Sequence, residues 1–249
     1  MPGRPAGAGR LTAPLDADVA TSSAAYARRF AGPVGAWFLE VQARITLDLL
    51  RPWPRATVLD VGGGHGQLLG PLLDTGHDVT VYGSALSCRD LIAARLDGAR
   101  ARFQAGDLLR APWPAGAFDV VISYRLLPHV AAWRELLGEL CRLARRAVVV
   151  DYPTRRSVNA AAGALFAAKK TVEGDTRPFA VLRDKDVESA LAAHGFRPTA
   201  RRPEFFFPMA VHRAMGAARL SRTLEAGARG LGLDRALGSP VILRAEPRG

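Results

Sequence analysis

The stretch VLDVGGGHGQ, residues 58–67, decides the fold of this chain. A short apolar run ends in an acid, passes into a glycine turn and leads into a helical pattern that starts near Gln67. Glycines permit a sharp turn where a β-carbon would clash, and the start of a helix exposes free N–H groups. The stretch therefore predicts a ligand site on bare backbone between a strand and a helix.

The spacing of these glycines argues against a dinucleotide fingerprint. That pattern, G-x-G-x-x-G, requires a glycine three positions after the second one. Gln67 stands at that position after Gly64, so the remaining pattern is D-x-G-x-G-x-G over residues 60–66.

The bulk composition is typical of one large α/β domain. The chain has 249 residues, of which 49% are apolar, and it carries a net charge of +11. The charge favours anionic partners, but the arginines are scattered and no basic run is interleaved with aromatic residues. Cys88 and Cys141 lack metal-ligand spacing, which indicates reduced thiols. No apolar signal core or membrane-spanning run is present, so we expect a cytoplasmic protein.

The chain alternates predicted strands and helices after a loose tail. We expect a tail at residues 1–20 and a single domain at 21–249, with its core at 55–151. Parallel strands at 57–60, 79–82, 102–105, 118–123 and 147–151 alternate with helices at 87–96 and 133–144, and a helix at 34–50 precedes them. Cap and substrate elements fall at 21–52, 153–183 and 208–238. Within or beside these we expect helices at 156–170, 186–194 and 209–237 and strands at 198–207 and 240–245.

The motif pattern resembles the first motif of the class I S-adenosylmethionine (SAM)-dependent methyltransferases. Asp107 after the third strand and the run at 118–126 match later motifs in the same order. The resemblance implies a Rossmann-like, doubly wound, seven-stranded mixed sheet whose last strand is antiparallel. N-terminal helices and helical insertions would form a cap. The chain is most similar to the small-molecule group related to quinone-biosynthesis methyltransferases.

The same resemblance implies which residues bind SAM and its product S-adenosylhomocysteine (SAH). The glycine turn would line the amino-acid part, Asp107 would accept from the adenine amino group, and Leu108 would pack on the ring. The segment after the fourth strand would lie beside the sulfur, and an N-terminal helix would meet the carboxylate. The cofactor residues predicted in this way are Asp60, Gly62, Gly63, Gly64, Gly66, Asp107, Leu108, Ser123, Tyr124, Arg125, Tyr26 and Arg29.

The chain departs from the family pattern after the second strand. The family places there an Asp or Glu that binds both ribose hydroxyls, because two acceptor oxygens suit a vicinal diol. Gly83 stands at that position, followed by Ser84. Either Ser84 or a backbone group would then bind the ribose, or the chain is a non-catalytic member of the family.

Residues for the acceptor are predicted from chemistry and from charge. His129, just beyond the fourth strand, suits a general base for a hydroxyl acceptor, although it could instead pack a helix start. Glu173 and Arg177 in the polar loop after the fifth strand, and His212 near the aromatic run 205–207, are predicted to bind substrate. The expected acceptor is a hydroxyl or a carbon of a small metabolite, apolar with an anionic group.

Two other functions stay open. The positive charge is compatible with an RNA or ribosomal-protein methyltransferase, and Gly83 with a SAM-fold scaffold. A metal-dependent route is not favoured, because no Asp, Asn and His cluster follows the fourth and fifth strands. The motif of exocyclic base-amine methyltransferases is missing after the fourth strand. We expect a monomer or a homodimer.

Overall fold

The computed structural model describes residues 16–96, 98, 100–157 and 179–249. Glu173, Arg177 and most of the helix predicted at 156–170 lie outside the described residues. Those predictions are therefore not addressed by the structure.

The described residues form a seven-stranded mixed sheet in the order β3-β2-β1-β4-β5-β7-β6. Strands β1 to β5 are parallel, and β7 runs antiparallel to both of its neighbours. The predicted mixed sheet with an antiparallel last strand is confirmed. The strands are β1 Thr57–Val61, β2 Asp78–Gly83, β3 Ala101–Ala105, β4 Phe118–Ser123, β5 Ala144–Tyr152, β6 Phe196–Pro203 and β7 Val241–Pro247.

Helices cover both faces of this sheet. They are α1 Ala17–Thr21, α2 Ala24–Ala27, α3 Gly32–Leu50, α4 Leu69–Asp74, α5 Trp133–Leu143, α6 Asp184–Ala193, α7 Met209–Met215, α8 Ala218–Gly230 and α9 Leu233–Leu237. Alternate residues of each strand point to opposite faces. Val120 and Val149 therefore pack with residues of α3 and α4, whereas Val121 and Val148 pack with α5 and α6.

The helix predicted at 87–96 is wrong. Two short 3₁₀ turns, Leu86–Arg89 and Ala93–Arg95, occupy this segment. Cys88 lies against Gly83 and Ile92 against Gly66, so close that a β-carbon on either glycine would stand under 3.0 Å from them. The backbone therefore follows the glycine turn instead of continuing as a helix.

The tail predicted at 1–20 is also wrong over its described part. Helix α1 begins at Ala17, and the side chain of Asp18 is completely buried. Asp18 accepts hydrogen bonds from the backbone N–H and the hydroxyl of Ser84, which dock α1 onto the end of β2. Asp18 and Ser84 are 66 positions apart, so no local sequence pattern predicts their contact.

The C-terminal helices close over an aromatic cluster. His212 is fully buried against the rings of Trp37, Phe38 and Phe205, with its Nε2 atom 2.9 Å from Glu225 Oε1. The prediction that His212 binds substrate disagrees with this position, because the ring is enclosed in the core. Its ring contacts α3, and its Nε2 atom contacts Glu225 of α8.

Glu225 of α8 makes hydrogen bonds that hold the segment before α7 and the side chain of His212. Its carboxylate accepts from the backbone N–H groups of Phe206 and Phe207, both at 2.9 Å, and contacts His212. We expect Glu225→Ala to lower the free energy of unfolding by about 3 kcal/mol, because two part-buried N–H groups and the buried His212 lose a partner, and an unsatisfied buried donor costs about 1–3 kcal/mol. Urea denaturation measures this loss.

Glu40→Ala is the matched control. Glu40 pairs with Arg222 of the same helix α8, but the two side chains are 60% and 53% exposed. An exposed ion pair contributes about 0–1 kcal/mol. Equal losses in the two variants would contradict the role assigned to Glu225.

Candidate cofactor site

The glycine turn after β1 has almost no room for side chains. Gly62 and Gly66 have φ values of 77° and 73°, in the left-handed region that favours glycine. A β-carbon on Gly63 would lie 2.1 Å from Asp60 Oδ2, and one on Gly64 would lie 2.4 Å from the carbonyl oxygen of Cys88. The turn therefore depends on glycine for its conformation and for its close contacts.

Asp60 is the next-to-last residue of β1 and lies against this turn. Its side chain is buried, and burial raises the pKa of the carboxyl from 3.8 to about 7. Its Oδ1 atom has no hydrogen-bond partner among the described residues. A buried acceptor without a donor is costly, so Asp60 is arranged for a donor that comes from a ligand.

Arg125 approaches the same turn from the end of β4. Its φ of 58° is unusual for a residue with a side chain, and such strain is concentrated at functional sites. Its backbone N–H donates to Asp151, its guanidinium carbon lies 4.0 Å above the ring of Phe30, and its Nη2 donates to Gln42 Oε1 at 3.2 Å. The buried Nη1 atom has no partner among the described residues.

Two more side chains present unpaired polar atoms here. Both ring nitrogens of His65 and the Oε1 atom of Gln67 are buried without partners in the described part of the chain. Burial, together with the charge of Arg125, lowers the pKa of His65 to about 4, so the ring is neutral at pH 7. An acid, a guanidinium and neutral acceptors around one turn fit a ligand that carries both an ammonium and a carboxylate.

A narrow cavity of about 10 Å³ lies between these groups. Residues of α1 and α2 close its outer side, which leaves little free space above the turn. Its lining consists of Thr21, Tyr26, Asp60, Gly62, Gly63, His65, Gln67, Tyr124 and Arg125.

The ends of β2 and β3 form the next part of the predicted site. Asp107 is exposed, with Oδ1 accepting from the N–H of Leu109 at 2.9 Å. Leu108 is buried in the core, and the hydroxyl of Tyr82 donates to the carbonyl oxygen of Asp107 at 3.0 Å. The loop is thus held at the sheet edge on which β2 and β3 end.

Some predicted cofactor residues lie beside the turn and others do not. Tyr26 lines the cavity, and its ring centroid is 5.7 Å from that of His65. Arg29 is exposed on the outer side of Tyr26, and its guanidinium carbon is 5.2 Å from that ring centroid. Ser123 donates its hydroxyl to the carbonyl oxygen of Val61, so its contact joins β4 to β1. The hydroxyl of Tyr124 is hydrogen-bonded to Thr46.

The sequence analysis missed a buried acid pair behind Arg125. The amide nitrogen of Gln42 lies 3.4 Å from Asp151 Oδ2 and 3.0 Å from Glu204 Oε1. Burial raises the pKa of both carboxyls, and the charge of Asp151 adds to the shift at Glu204. The available signal was positional, since Asp151 is the next-to-last residue of β5 and Glu204 directly follows β6. Gln42 lies within α3, and its position in the sequence does not indicate its contact with the two acids.

Comparison with known proteins finds similarity to methyltransferases. A family model described as a methyltransferase domain matches residues 59–150. The ubiquinone biosynthesis O-methyltransferase of Rhizobium rhizogenes is 29% identical over 168 residues, which cover 64% of this chain and 67% of that protein. The structure of magnesium protoporphyrin IX methyltransferase from Synechocystis PCC 6803 with bound SAH has a TM-score of 0.62 at 16% identity, covering 92% of this chain and 96% of that one.

The sheet order, the antiparallel β7 and the glycine turn define a Rossmann-like methyltransferase fold with a site for a nucleoside cofactor. Residues 59–150 match a methyltransferase domain, and the chain is similar to SAM-dependent methyltransferases, as the sequence motifs predicted. Its cofactor is therefore SAM, and the unpaired groups at the turn fit the charged amino-acid part of that molecule.

Within the described ranges, no helix combines the length and the apolar character needed to cross a membrane.

Gly63→Ala tests the dependence of the site on the bare turn. The added methyl group would collide with the carboxylate of Asp60, so we expect SAH affinity to fall at least tenfold. Isothermal titration calorimetry measures this. Gly227→Ala in α8, where a β-carbon meets nothing within 4 Å, is the control and should bind SAH normally.

The raised pKa of Asp60 predicts a pH-dependent affinity. A cofactor ammonium favours the ionised carboxylate, so binding releases the proton that Asp60 holds below about pH 7. SAH affinity should rise by up to about tenfold between pH 6 and pH 8. Asp60→Asn should remove that rise. An unchanged pH profile in the variant would contradict the assignment.

Proposed function

We propose that this methyltransferase transfers the methyl group of SAM to a hydroxyl group of a small metabolite. The observation that carries the proposal is that Asp60 and Arg125, with unpaired Oδ1 and Nη1 atoms, line one cavity at the glycine turn. The hydroxyl acceptor is favoured by the relatives named O-methyltransferases. A carbon acceptor is the second candidate, because the fold is shared with a geranyl diphosphate C-methyltransferase from Streptomyces coelicolor A3(2), at a TM-score of 0.58.

In this proposal the charged groups orient the amino-acid part of the cofactor. Arg125 pairs with its carboxylate and Asp60 with its ammonium, while the backbone of Gly62 and Gly64 lies alongside. Asp107, at the ends of β2 and β3, accepts from the adenine amino group. SAM supplies a methyl group on a sulfonium that already carries its leaving group, so the protein's main tasks are alignment and proton removal.

His129 is the proposed proton acceptor. It lies in the 3₁₀ turn Leu127–His129, four residues beyond Arg125, at the edge where the parallel strands end. The side chain is half-buried and its ring centroid is 5.5 Å from that of Phe179. Histidine accepts a proton near neutral pH, as a hydroxyl nucleophile requires.

The acceptor side of the site is proposed to be apolar and to accept an anionic group. Phe179 contacts His129 and is 54% exposed, which provides an apolar wall beside the proposed base. The net charge of +11 favours an acceptor with an anionic group. Arg177 and Glu173, close to Phe179 in the chain, remain the predicted polar contacts of this acceptor.

Transfer of labelled methyl from SAM into a fractionated cell extract tests the reaction. We expect the label in a small molecule whose mass spectrum shows an O-methyl group. Label in RNA or protein would support the macromolecular alternative instead. SAH binding without transfer to any fraction would support the non-catalytic scaffold.

His129→Gln tests the proposed base once an acceptor is identified. General bases contribute about 10²–10⁴-fold, so kcat should fall at least about 100-fold while SAH affinity stays the same. His194→Gln, at an exposed histidine after α6, is the control and should keep full activity. Unchanged kcat in His129→Gln would remove the histidine from the mechanism.

A further inference from the structure

We propose that Asp18, in helix α1, supplies the carboxylate that binds the ribose hydroxyls of SAM. This inference rests on the proposed placement of the cofactor along the glycine turn. Asp18 would take the place of the acid that the family pattern has at the position of Gly83.

The chemistry requires an acceptor near the end of β2. Ligands of doubly wound sheets lie beyond the carboxyl ends of the strands, and in dinucleotide sites an acid about 20 residues after the glycine turn binds the ribose. The ribose of SAM presents two adjacent hydroxyls, and a carboxylate accepts from both. Neither the bare backbone of Gly83 nor the single hydroxyl of Ser84 offers two such acceptor atoms.

Asp18 brings a carboxylate to this point from elsewhere in the chain. Its Oδ2 atom lies 2.7 Å from the backbone nitrogen of Ser84, and its Oδ1 atom accepts from the Ser84 hydroxyl. Oδ2 is 3.4 Å from the place where a β-carbon on Gly83 would stand. The carboxylate thus lies within the reach that an acidic side chain at position 83 would have.

Asp18 also lies against the glycine turn. Its own β-carbon is 3.5 Å from the place of a β-carbon on Gly62. One side chain therefore spans the two backbone segments, after β1 and after β2, between which the ribose of the cofactor would lie. This is the part of the sheet edge at which a diol-binding group is needed.

The surroundings of Asp18 leave its charge uncompensated. The side chain is 0% exposed, yet none of the ion pairs between described residues includes it. Burying a carboxylate is costly unless it is paired or fully hydrogen-bonded. Ser84 donates two hydrogen bonds, and the thiol of Cys88 lies 3.4 Å from Oδ2. A carboxylate has about four lone-pair sites, so it can accept from ligand hydroxyls as well.

Helix α1 lies so close to the turn that it must shift outward to admit a cofactor. Ser22 Oγ is 2.3 Å from the place of a β-carbon on Gly64, in front of the bare backbone. The helix has only five residues and no side-chain cap at its N-terminus, and the hydrogen bonds of Asp18 to Ser84 join it to the end of β2. In the opposite interpretation, Asp18 only holds α1 as a plug that competes with SAM for the site. Asp18→Asn would then tighten SAH binding instead of weakening it.

Calorimetric titration of the full chain with SAH and with its 2′,3′-dideoxy analogue tests the proposal. Wild-type protein should bind SAH at least tenfold more tightly than the analogue. Asp18→Asn keeps the shape of the side chain but removes its charge, so it should weaken SAH binding at least tenfold and analogue binding less than twofold. Asp16→Asn, at an exposed acid of the same segment, should bind both ligands like the wild type.

Three results would overturn the proposal. Tighter SAH binding by Asp18→Asn would identify α1 as a competing plug, and an equal loss for both ligands would indicate a purely structural role. Equal affinity of the wild type for the two ligands would show that no group of the protein binds the two ribose hydroxyls. This measurement requires only the wild-type protein. If the wild type bound neither ligand, the proposed cofactor site itself would fail.

Discussion

The contact between the carboxylate of Asp60 and the backbone of Gly63 is the constraint on which the rest of the site depends. It admits only glycine at position 63 and places a buried acid against a turn that consists mainly of glycine. Strand β1, which carries Asp60 at its next-to-last position, is central in the sheet, between β2 and β4. Buried strands on both sides therefore hold the acid and the turn in one position, which is what a preorganised charged site requires.

Arg125 is held against this turn by a second set of buried groups. Its strained backbone is fixed by the hydrogen bond to Asp151, and Gln42 connects its guanidinium to Asp151 and Glu204. Removing charges from water is expensive, and the pKa values of both acids are raised accordingly. The network therefore positions Arg125 at the sheet edge. Stability of the core alone does not account for these buried polar groups.

The sequence was sufficient for features that depend on local pattern. Strand-helix alternation and the D-x-G-x-G-x-G spacing predicted the sheet and the turn, including the strand at 118–123. It was insufficient where the outcome depends on contacts between distant residues. Gln42 meets Asp151 and Glu204 across 109 and 162 positions, and Asp18 meets Ser84 across 66. The sequence did not predict the enclosure of His212, because the aromatic rings around it come from α3 and from the segment before α7.

A crystal structure of the protein with SAH would test the central claim most directly. The account predicts the homocysteine carboxylate on the guanidinium of Arg125 at about 2.9 Å, the hydrogen-bond length of such charged pairs, with the ammonium facing Asp60. The backbone of residues 62–66 should run alongside the ligand. An amino-acid moiety bound away from Arg125 and Asp60, with both groups still unpaired, would contradict it.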